Sequence, residues 1–409
     1  MEKDIHEYEK RLSSLIRHIN ESAIGEANKK LLLDFDRAML LLEGLGKPRR
    51  IKLLENMFIL ARRYFKGDLR KVTTDDIKDC IRDIETKAKS PWTTAGFKVT
   101  IKKFYRWLEY GDREAMTKES PDSVSWIKIH VKKKDQHRIQ ASDILTEDEA
   151  HRIIAAADNP RDTAFVAMLY ELGARISEIG NLCVGDVTRD QYSYLVDLTG
   201  KTGHRTPRIV MSDPYLTEWI DRHPMNTNPS APLWVCPDRK GGYKKMMYAA
   251  LRAVVLRIRK KAGIARRLYP HLFRHSRVTH LLMNRQLNEA QAKVYFGWSP
   301  DSTMLSEYSH LVSKDVNDTI LQIHGVKVVD KPERKDAKIC PRCKRINAME
   351  ARFCILCSSI LDAEEAFRQD QEKGRTDQLL NLILSDERIQ QIVVAKLSSL
   401  DNAKLKELS

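Results

Sequence analysis

At residues 270–275 the sequence reads Pro-His-Leu-Phe-Arg-His, a stretch in which a proline precedes a histidine and an arginine. Proline is favoured in the first turn of a helix, because its fixed φ suits that position and the N–H it lacks is unpaired there anyway. We therefore predict a helix that begins at Pro270. His271 and Arg274 are three residues apart, so their side chains project from one face of that helix and can meet the same anion.

Outward from this helix, the surrounding sequence contains other polar residues near predicted turns or helix starts. They are Arg175, Lys201, Trp298 and Tyr308. The glycines that flank Lys201 suit a tight hairpin turn, which places this lysine near a hairpin tip. Arginine can grip two phosphate oxygens at once, because its planar fork stays charged. Each residue taken alone also has an ordinary interpretation: an arginine in solvent, a structural histidine or a packed tyrosine.

The order of five short motifs along the chain is more informative than any of these residues alone. The motifs are Ala174-Arg175-Ile176-Ser177-Glu178, Gly200-Lys201-Thr202-Gly203, His271-Leu272-Phe273-Arg274-His275, Phe296-Gly297-Trp298-Ser299 and Glu307-Tyr308-Ser309-His310. This set resembles the tyrosine recombinases, the integrase and Xer-like family, and particularly its archaeal members. The resemblance covers residues 26–323. It implies a mainly α fold with a small β-sheet, in which a helical core-binding (SAM-like) domain and a tyrosine recombinase catalytic domain clamp duplex DNA.

The resemblance also implies a role for each candidate. Tyr308 attacks the scissile phosphate, Arg175 and Arg274 hold its non-bridging oxygens, Trp298 fixes one of them, Lys201 protonates the leaving 5′ oxygen and His271 accepts the tyrosine proton. Trp298 stands where the family commonly has histidine, and its indole donates one N–H but cannot shuttle protons. Tyr295 competes with Tyr308 for the role of nucleophile, but it lies in an apolar helix and is interpreted as a packing residue. The chemistry needs no metal and no ATP, and the sequence lacks a G-x-x-x-x-G-K-[ST] phosphate loop.

Four of the seven cysteines form two C-x-x-C pairs. They are Cys340, Cys343, Cys354 and Cys357. Two such pairs predict a tetrahedral Zn²⁺ site in a small zinc ribbon, and four thiolates leave no open position, so the zinc is structural. The alternatives are a redox dithiol or unrelated buried cysteines.

The pattern of charge and hydrophobicity predicts five segments. They are a helical core-binding domain over 1–120, a basic linker over 121–143, the catalytic domain over 144–325, the zinc ribbon over 339–360 and a helical tail over 363–409. A capping box at Thr146-x-x-Glu149 opens the catalytic domain, and Gly173 ends a helix. Two runs, Tyr192–Leu198 and Arg205–Met211, predict a hairpin. The tail carries an apolar stripe that must be covered, and we favour a neighbouring subunit.

The net charge of the chain indicates what kind of partner it binds. Lysines and arginines number 71 against 56 aspartates and glutamates, which gives a net charge of +15. This excess favours nucleic acid over a membrane surface, and no apolar run reaches the length of a membrane span. The resemblance implies that the nucleic acid is double-stranded DNA. A polar N-terminus predicts a cytoplasmic protein.

The resemblance implies a homo-tetramer on paired DNA sites, with Asn317–Ile323 exchanged between subunits. Two alternatives stay open: a type IB topoisomerase-like nicking enzyme, and a catalytically degenerate zinc-ribbon DNA-binding protein.

Overall fold

The computed structural model describes residues 4–88, 90–111, 119–131, 141–200, 203–283, 286–304, 337–385 and 388–391. Lys201, Tyr308, the segment Asn317–Ile323 and the tail beyond residue 391 lie outside these ranges. What the sequence predicts for those residues stays a prediction.

The described residues form two compact units, and the first is a helical bundle made mainly of residues before Leu145. Its helices are α1 (Tyr8–Asn20), α2 (Glu26–Leu41), α3 (Lys47–Arg63), α4 (Thr74–Lys87), α5 (Pro91–Tyr110) and the short α6 (Asp122–Ser125). Helix α3 packs against α1, α2 and α5. It buries Leu53, Leu54 and Met57 at the three-to-four spacing that the sequence predicts for one helix face.

The first residues of the predicted linker are part of this bundle. Helix α6 packs against α5, and Val124 and Ile127 are buried in the core of the first unit. Two isolated apolar residues among polar ones give no periodic signal, so the sequence alone indicated only an extended segment from residue 121.

The second unit is built around one buried helix. Its helices are α7 (Glu147–Ala155), α8 (Pro160–Leu172), α9 (Ile176–Gly180), α10 (Asp213–Asp221), most of α11 (Tyr248–Lys261), α12 (Pro270–Met283), α13 (Glu289–Phe296) and α14 (Ala363–Leu384). Every residue of α8 from Ala164 to Leu172 is buried, and α8 packs against α7, α10 and α12. A helix that is apolar all round belongs in the middle of a domain.

Three local predictions agree with the helix ends. Thr146 and Glu149 exchange hydrogen bonds as a capping box at the start of α7. Gly173 ends α8 in the left-handed conformation, with φ 50°. Helix α12 begins at Pro270. The fold class is confirmed as mainly helical with small sheets.

The strands in the described residues pair into four two-stranded antiparallel sheets. The pairs are β1 (Val187–Arg189) with β2 (Tyr194–Val196), β3 (Leu198–Gly200) with β4 (Gly203–Arg205), β5 (Val235–Pro237) with β6 (Tyr243–Lys245), and β7 (Ala337–Ile339) with β8 (Ile346–Ala348). No helix within the described ranges is both long and apolar enough to cross a membrane.

The predicted hairpin forms only in part. Val196 donates to the carbonyl of Pro207, and Ile209 donates to that of Tyr194, so the two predicted runs do lie side by side. The ladder is interrupted because Pro207 has no N–H to donate and Asp197 donates its N–H to another loop. A separate short hairpin, β3–β4, therefore carries the turn, with Gly200 opposite Gly203.

Candidate active site and four-cysteine cluster

Arg175 lies in the tight connection between α8 and α9. Its guanidinium donates to Oε1 of Glu178 at 2.8 Å, and its backbone N–H donates to Oε2 of the same carboxylate at 3.0 Å. The Arg175 side chain remains 29% exposed. Glu178 therefore holds Arg175 at a fixed place while leaving it accessible to a ligand.

Arg274, one turn into α12, is buried and joins two other elements. Its Nη1 donates to the carbonyl of Gly173 and its Nη2 to the carbonyl of Phe296, both at 2.9 Å. The guanidinium lies 5.6 Å from the ring centroids of Phe296 and Trp298, within the range of a cation–π contact. These bonds place Arg274 beside the connection that carries Arg175.

Trp298 follows directly from the end of α13. Gly297 ends that helix in the left-handed conformation, with φ 61°, and a Cβ atom built there would lie 2.6 Å from the guanidinium of Arg205. Only glycine suits both the backbone and the space. The backbone N–H of Trp298 donates to the carbonyl of Lys293 at 2.8 Å, and the buried indole lies 5.3 Å from the ring of Phe296.

His271 stands at the rim of the same site, in the first turn of α12. Partial desolvation of its ring, together with the positive charges of Arg274 and Arg175, lowers the pKa of His271 below its ordinary value of 6.5. The imidazole is therefore neutral at neutral pH and able to accept a proton. Of the six residues that the sequence nominates, the structure brings together Arg175, His271, Arg274 and Trp298.

The sequence around this site matches known proteins. Residues 143–314 match the model of the phage integrase family. The tyrosine recombinase XerA of Pyrococcus horikoshii is 33% identical over 138 residues, which are 34% of this chain and 47% of the relative. In this part of its sequence the chain is similar to the tyrosine recombinases. The chain thus spans about half the length of that relative.

Other recombinases match more of the chain at lower identity. The tyrosine recombinase XerC of Oceanobacillus iheyensis is 21% identical over 308 residues, covering 72% of this chain and 96% of the relative. XerH recombinase bound to a palindromic difH substrate after cleavage shares the fold, with a TM-score of 0.52, 16% identity, and coverage of 77% of this chain and 89% of that one. A lambda integrase tetramer bound to a Holliday junction gives a TM-score of 0.51 at 14% identity, over 68% and 76% of the two chains.

Two further residues of the candidate site are not indicated as functional by the sequence motifs. Glu178 is buried between Arg175 and Arg205, with its Oε2 accepting from Arg205 Nη2 at 2.8 Å. Burial opposes its ionisation, but the two arginines outweigh it and lower the pKa of Glu178. The spacing of Arg175 and Glu178 was a signal for this pair, because a glutamate at the third helical position often binds back to the N–H of the residue that caps the helix. No local sequence pattern indicates a role for Arg205, because the pairing of β3 with β4 places it beside Glu178.

Tyr295, the competitor of Tyr308 for the role of nucleophile, has its hydroxyl in a hydrogen bond. It donates to the carbonyl of Glu171 at 3.0 Å, and its ring packs against Phe296. Burial raises the pKa of Tyr295, so that its phenolate is harder to form. These contacts agree with the prediction that Tyr295 is a packing residue.

The four cysteines of the two C-x-x-C pairs form one cluster. Their Sγ atoms all lie within 4.8 Å of one another, and ligands at about 2.3 Å from a tetrahedral zinc are spaced at about 3.8 Å. Each pair is closed by the same turn: Lys344 donates to the carbonyl of Cys340, and Ser358 donates to that of Cys354. Lys344 and Ser358 both have positive φ, at 60° and 56°. The donor set and its spacing fit a tetrahedral metal ion.

This cysteine module is seated on α10. Arg345 donates to the hydroxyl of Thr217 at 3.0 Å and lies 3.7 Å from the buried carboxylate of Asp213. Tyr215 donates its hydroxyl to Glu350 at 2.9 Å. The carbonyl of Arg345 in turn accepts the N–H of Cys340 at 2.8 Å, so the residue that anchors the module is itself held by the first cysteine turn.

Proposed function

We propose that this protein is a site-specific DNA recombinase that cleaves and rejoins strands through a covalent 3′-phosphotyrosyl intermediate, without ATP or a catalytic metal. The observation that carries the proposal is the convergence of Arg175 and Arg274, with Trp298 and His271 beside them. Two guanidiniums at one place suit the two non-bridging oxygens of a phosphodiester. The net charge of +15 suits a DNA partner.

The proposed reaction assigns one task to each residue. The hydroxyl oxygen of Tyr308 attacks the scissile phosphorus, and the bond from phosphorus to the 5′ oxygen breaks. His271 accepts the tyrosine proton, and Lys201 gives a proton to the departing 5′ oxygen. Arg175, Arg274 and Trp298 stabilise the charge that builds on the non-bridging oxygens. Attack by the 5′ hydroxyl of a second strand reverses these steps and joins that strand, so no external energy source is needed.

We also propose a domain organisation, a partner and an assembly for this protein. The proposed domains follow the sequence prediction except at one boundary, where residues 121–127 join the core-binding domain. They are core binding over 1–127, a linker over 128–143, catalysis over 144–325, the ribbon over 339–360 and the tail over 363–409. The solved relatives bound to DNA, one of them a tetramer on a Holliday junction, support duplex DNA as partner and a homo-tetramer as the active assembly. We expect the protein to act in the cytoplasm, where it is bound to DNA.

A covalent adduct is the direct test of this function. The protein is mixed with supercoiled plasmid and with genomic fragments from its own source, in the presence of a metal chelator, and the mixture is resolved on a denaturing gel. We expect protein–DNA adducts in which the 3′ end is blocked and the 5′ end is a free hydroxyl that a kinase can label. Nicks without an adduct, linkage to the 5′ end, or a need for divalent metal would contradict the mechanism.

A type IB topoisomerase-like enzyme is the second candidate, because it would use the same residues. The two differ in outcome on DNA: a topoisomerase relaxes any supercoiled plasmid, whereas a recombinase forms adducts at one recognised sequence and produces junctions between two copies of it. Mapping the adduct on several unrelated plasmids separates the two.

We also propose that the four cysteines bind one structural zinc ion. The ion would have four thiolate ligands and no open position, and it would supply much of the folding energy of a module too small to build its own core. Because Cys340 holds Arg345, zinc binding is coupled to the seating of the module on α10.

Serine in place of Cys343 is expected to remove the zinc and release the module. Metal analysis should find one zinc per chain in the unaltered protein and in the control Cys236→Ser, whose half-buried thiol is outside the cluster. Cys343→Ser should contain none, and limited proteolysis should then cut within residues 337–362. A variant that retains its zinc, or an unaltered protein that is metal-free yet protected in this segment, contradicts the assignment.

A further inference from the structure

Arg205, the last residue of β4, is buried against the candidate active site. Its side chain is 8% exposed. Nη2 donates to Oε2 of Glu178 at 2.8 Å, and Nε donates to the carbonyl of Tyr295 at 3.0 Å. A buried guanidinium requires charged or strongly polar partners, and Arg205 has both a carboxylate and a helix-end carbonyl. One side chain thus contacts two elements of the site.

The first contact controls the partner of Arg175. Glu178 divides its carboxylate, with Oε1 bound to Arg175 and Oε2 bound to Arg205. A carboxylate left with one arginine can pair with it through both oxygens. Without Arg205, Glu178 is free to take Arg175 into such a two-bond pair and hold it back from a phosphate. The summed charge of the three side chains also falls from +1 to zero, which weakens the attraction for an anion.

The second contact fixes the end of α13. Arg205 binds the carbonyl of Tyr295, and Arg274 binds the next carbonyl, that of Phe296. Carbonyls at a helix C-terminus have no partner within the helix, and the helix dipole favours cations there. Gly297 allows the close approach of Arg205, and Trp298 follows it. Arg205 therefore holds the helix end that Arg274 also uses and from which Trp298 continues.

We propose that Arg205 is a positioning residue that sets the two phosphate-binding arginines, Arg175 and Arg274, into register for the scissile phosphate. It acts on Arg175 through Glu178 and on Arg274 through the end of α13. This inference rests on the proposed strand-cleavage function, and it adds a residue that touches no reacting atom.

The test compares Arg205→Gln and Arg205→Lys with Arg208→Gln in the full-length protein. Arg208 follows on the same segment, but its guanidinium binds Asp190 at the surface, at 2.7 Å, so its removal costs the same charge without touching the site. Adduct formation is followed in a single turnover on a duplex that carries the mapped cleavage site. We expect Arg205→Gln to slow the step about 10- to 100-fold at saturating protein, because small displacements of positioned groups have effects of this size. Half-saturation for DNA should change less than about threefold.

A modified substrate separates positioning from general stability. In a duplex with a methylphosphonate at the scissile position, one charged non-bridging oxygen is replaced by a methyl group, so less positive charge is needed. The ratio of unaltered to Arg205→Gln rates should therefore shrink to about threefold or less on this duplex. Arg175→Ala serves as the reference for a directly bound arginine, and it should show the same narrowing. Arg205→Lys, which keeps the charge and most of the volume, should recover part of the rate.

The outcomes are distinct. Equal defects on the phosphate and methylphosphonate duplexes, or a defect confined to DNA affinity, would overturn the positioning role and leave strand cleavage intact. Absence of any adduct with the unaltered protein would overturn strand cleavage itself, and the role of Arg205 with it.

Discussion

Phenylalanine in place of Tyr308 is expected to abolish the covalent adduct completely, while Tyr295→Phe retains it at close to the unaltered level. The adduct requires a hydroxyl oxygen that can attack phosphorus, and phenylalanine has none. Tyr308 is the tyrosine of the motif Glu307-Tyr308-Ser309-His310. Tyr295 is a poor nucleophile, since its hydroxyl is bound to the carbonyl of Glu171 and burial raises its pKa.

The two tyrosine variants control for each other. A nicked duplex that releases a short fragment carrying the new 5′ hydroxyl traps the adduct, because the attacking group for rejoining is lost, and a denaturing gel then measures the adduct. Binding of the same duplex, followed on a native gel, should be unchanged in Tyr308→Phe. Tyr295→Phe loses one partly buried hydrogen bond, worth about 1 kcal/mol of stability, which a thermal melt should detect. An adduct that survives Tyr308→Phe and disappears with Tyr295→Phe would reassign the nucleophile.

Replacement of Arg274 should have the next largest effect. Loss of one donor that stabilises a developing charge slows catalysis by about 10²- to 10³-fold, and we expect Arg274→Lys to fall in this range. Lysine keeps the charge but lacks the planar fork that reaches the carbonyls of Gly173 and Phe296 together. The effect should appear in the rate of adduct formation at saturating DNA.

Arg277→Lys is the matched control on the same helix. The guanidinium of Arg277 also donates to a carbonyl, that of Glu171 at 3.1 Å, and lies over the ring of Tyr170. The same substitution therefore disturbs a similar contact on α12 that involves neither Gly173 nor Phe296. Unfolding midpoints of the two variants should be close, so that a difference in rate reflects chemistry. If Arg277→Lys is slowed as much as Arg274→Lys, the loss is due to packing of α12.

Features fixed by neighbouring residues were predictable from the sequence. The capping box at Thr146, the left-handed end of α8 at Gly173 and the start of α12 at Pro270 each depend on a few consecutive residues. The cysteine cluster was also predictable, because the C-x-x-C spacing largely determines the geometry of each turn.

Features that depend on contacts distant along the chain were not predictable. The role of Arg205 depends on the register of β3–β4, and one residue of slip would turn its side chain to the other face. The burial of Val124 depends on the packing of α6 on α5. The interruption of the predicted hairpin beside Pro207 could not be predicted, because it also depends on where the neighbouring loop runs in the folded chain.

The bonds that assemble the site join residues far apart in sequence. Arg274 reaches Gly173 across 101 positions, and Tyr295 reaches Glu171 across 124. During synthesis on the ribosome, the segment that ends at α9 is therefore complete long before its partners have emerged, and contacts of such long range form late. A chain released before residue 296 lacks the carbonyl that fixes Arg274 and every residue that follows it. Such a truncated chain would therefore lack a complete candidate site.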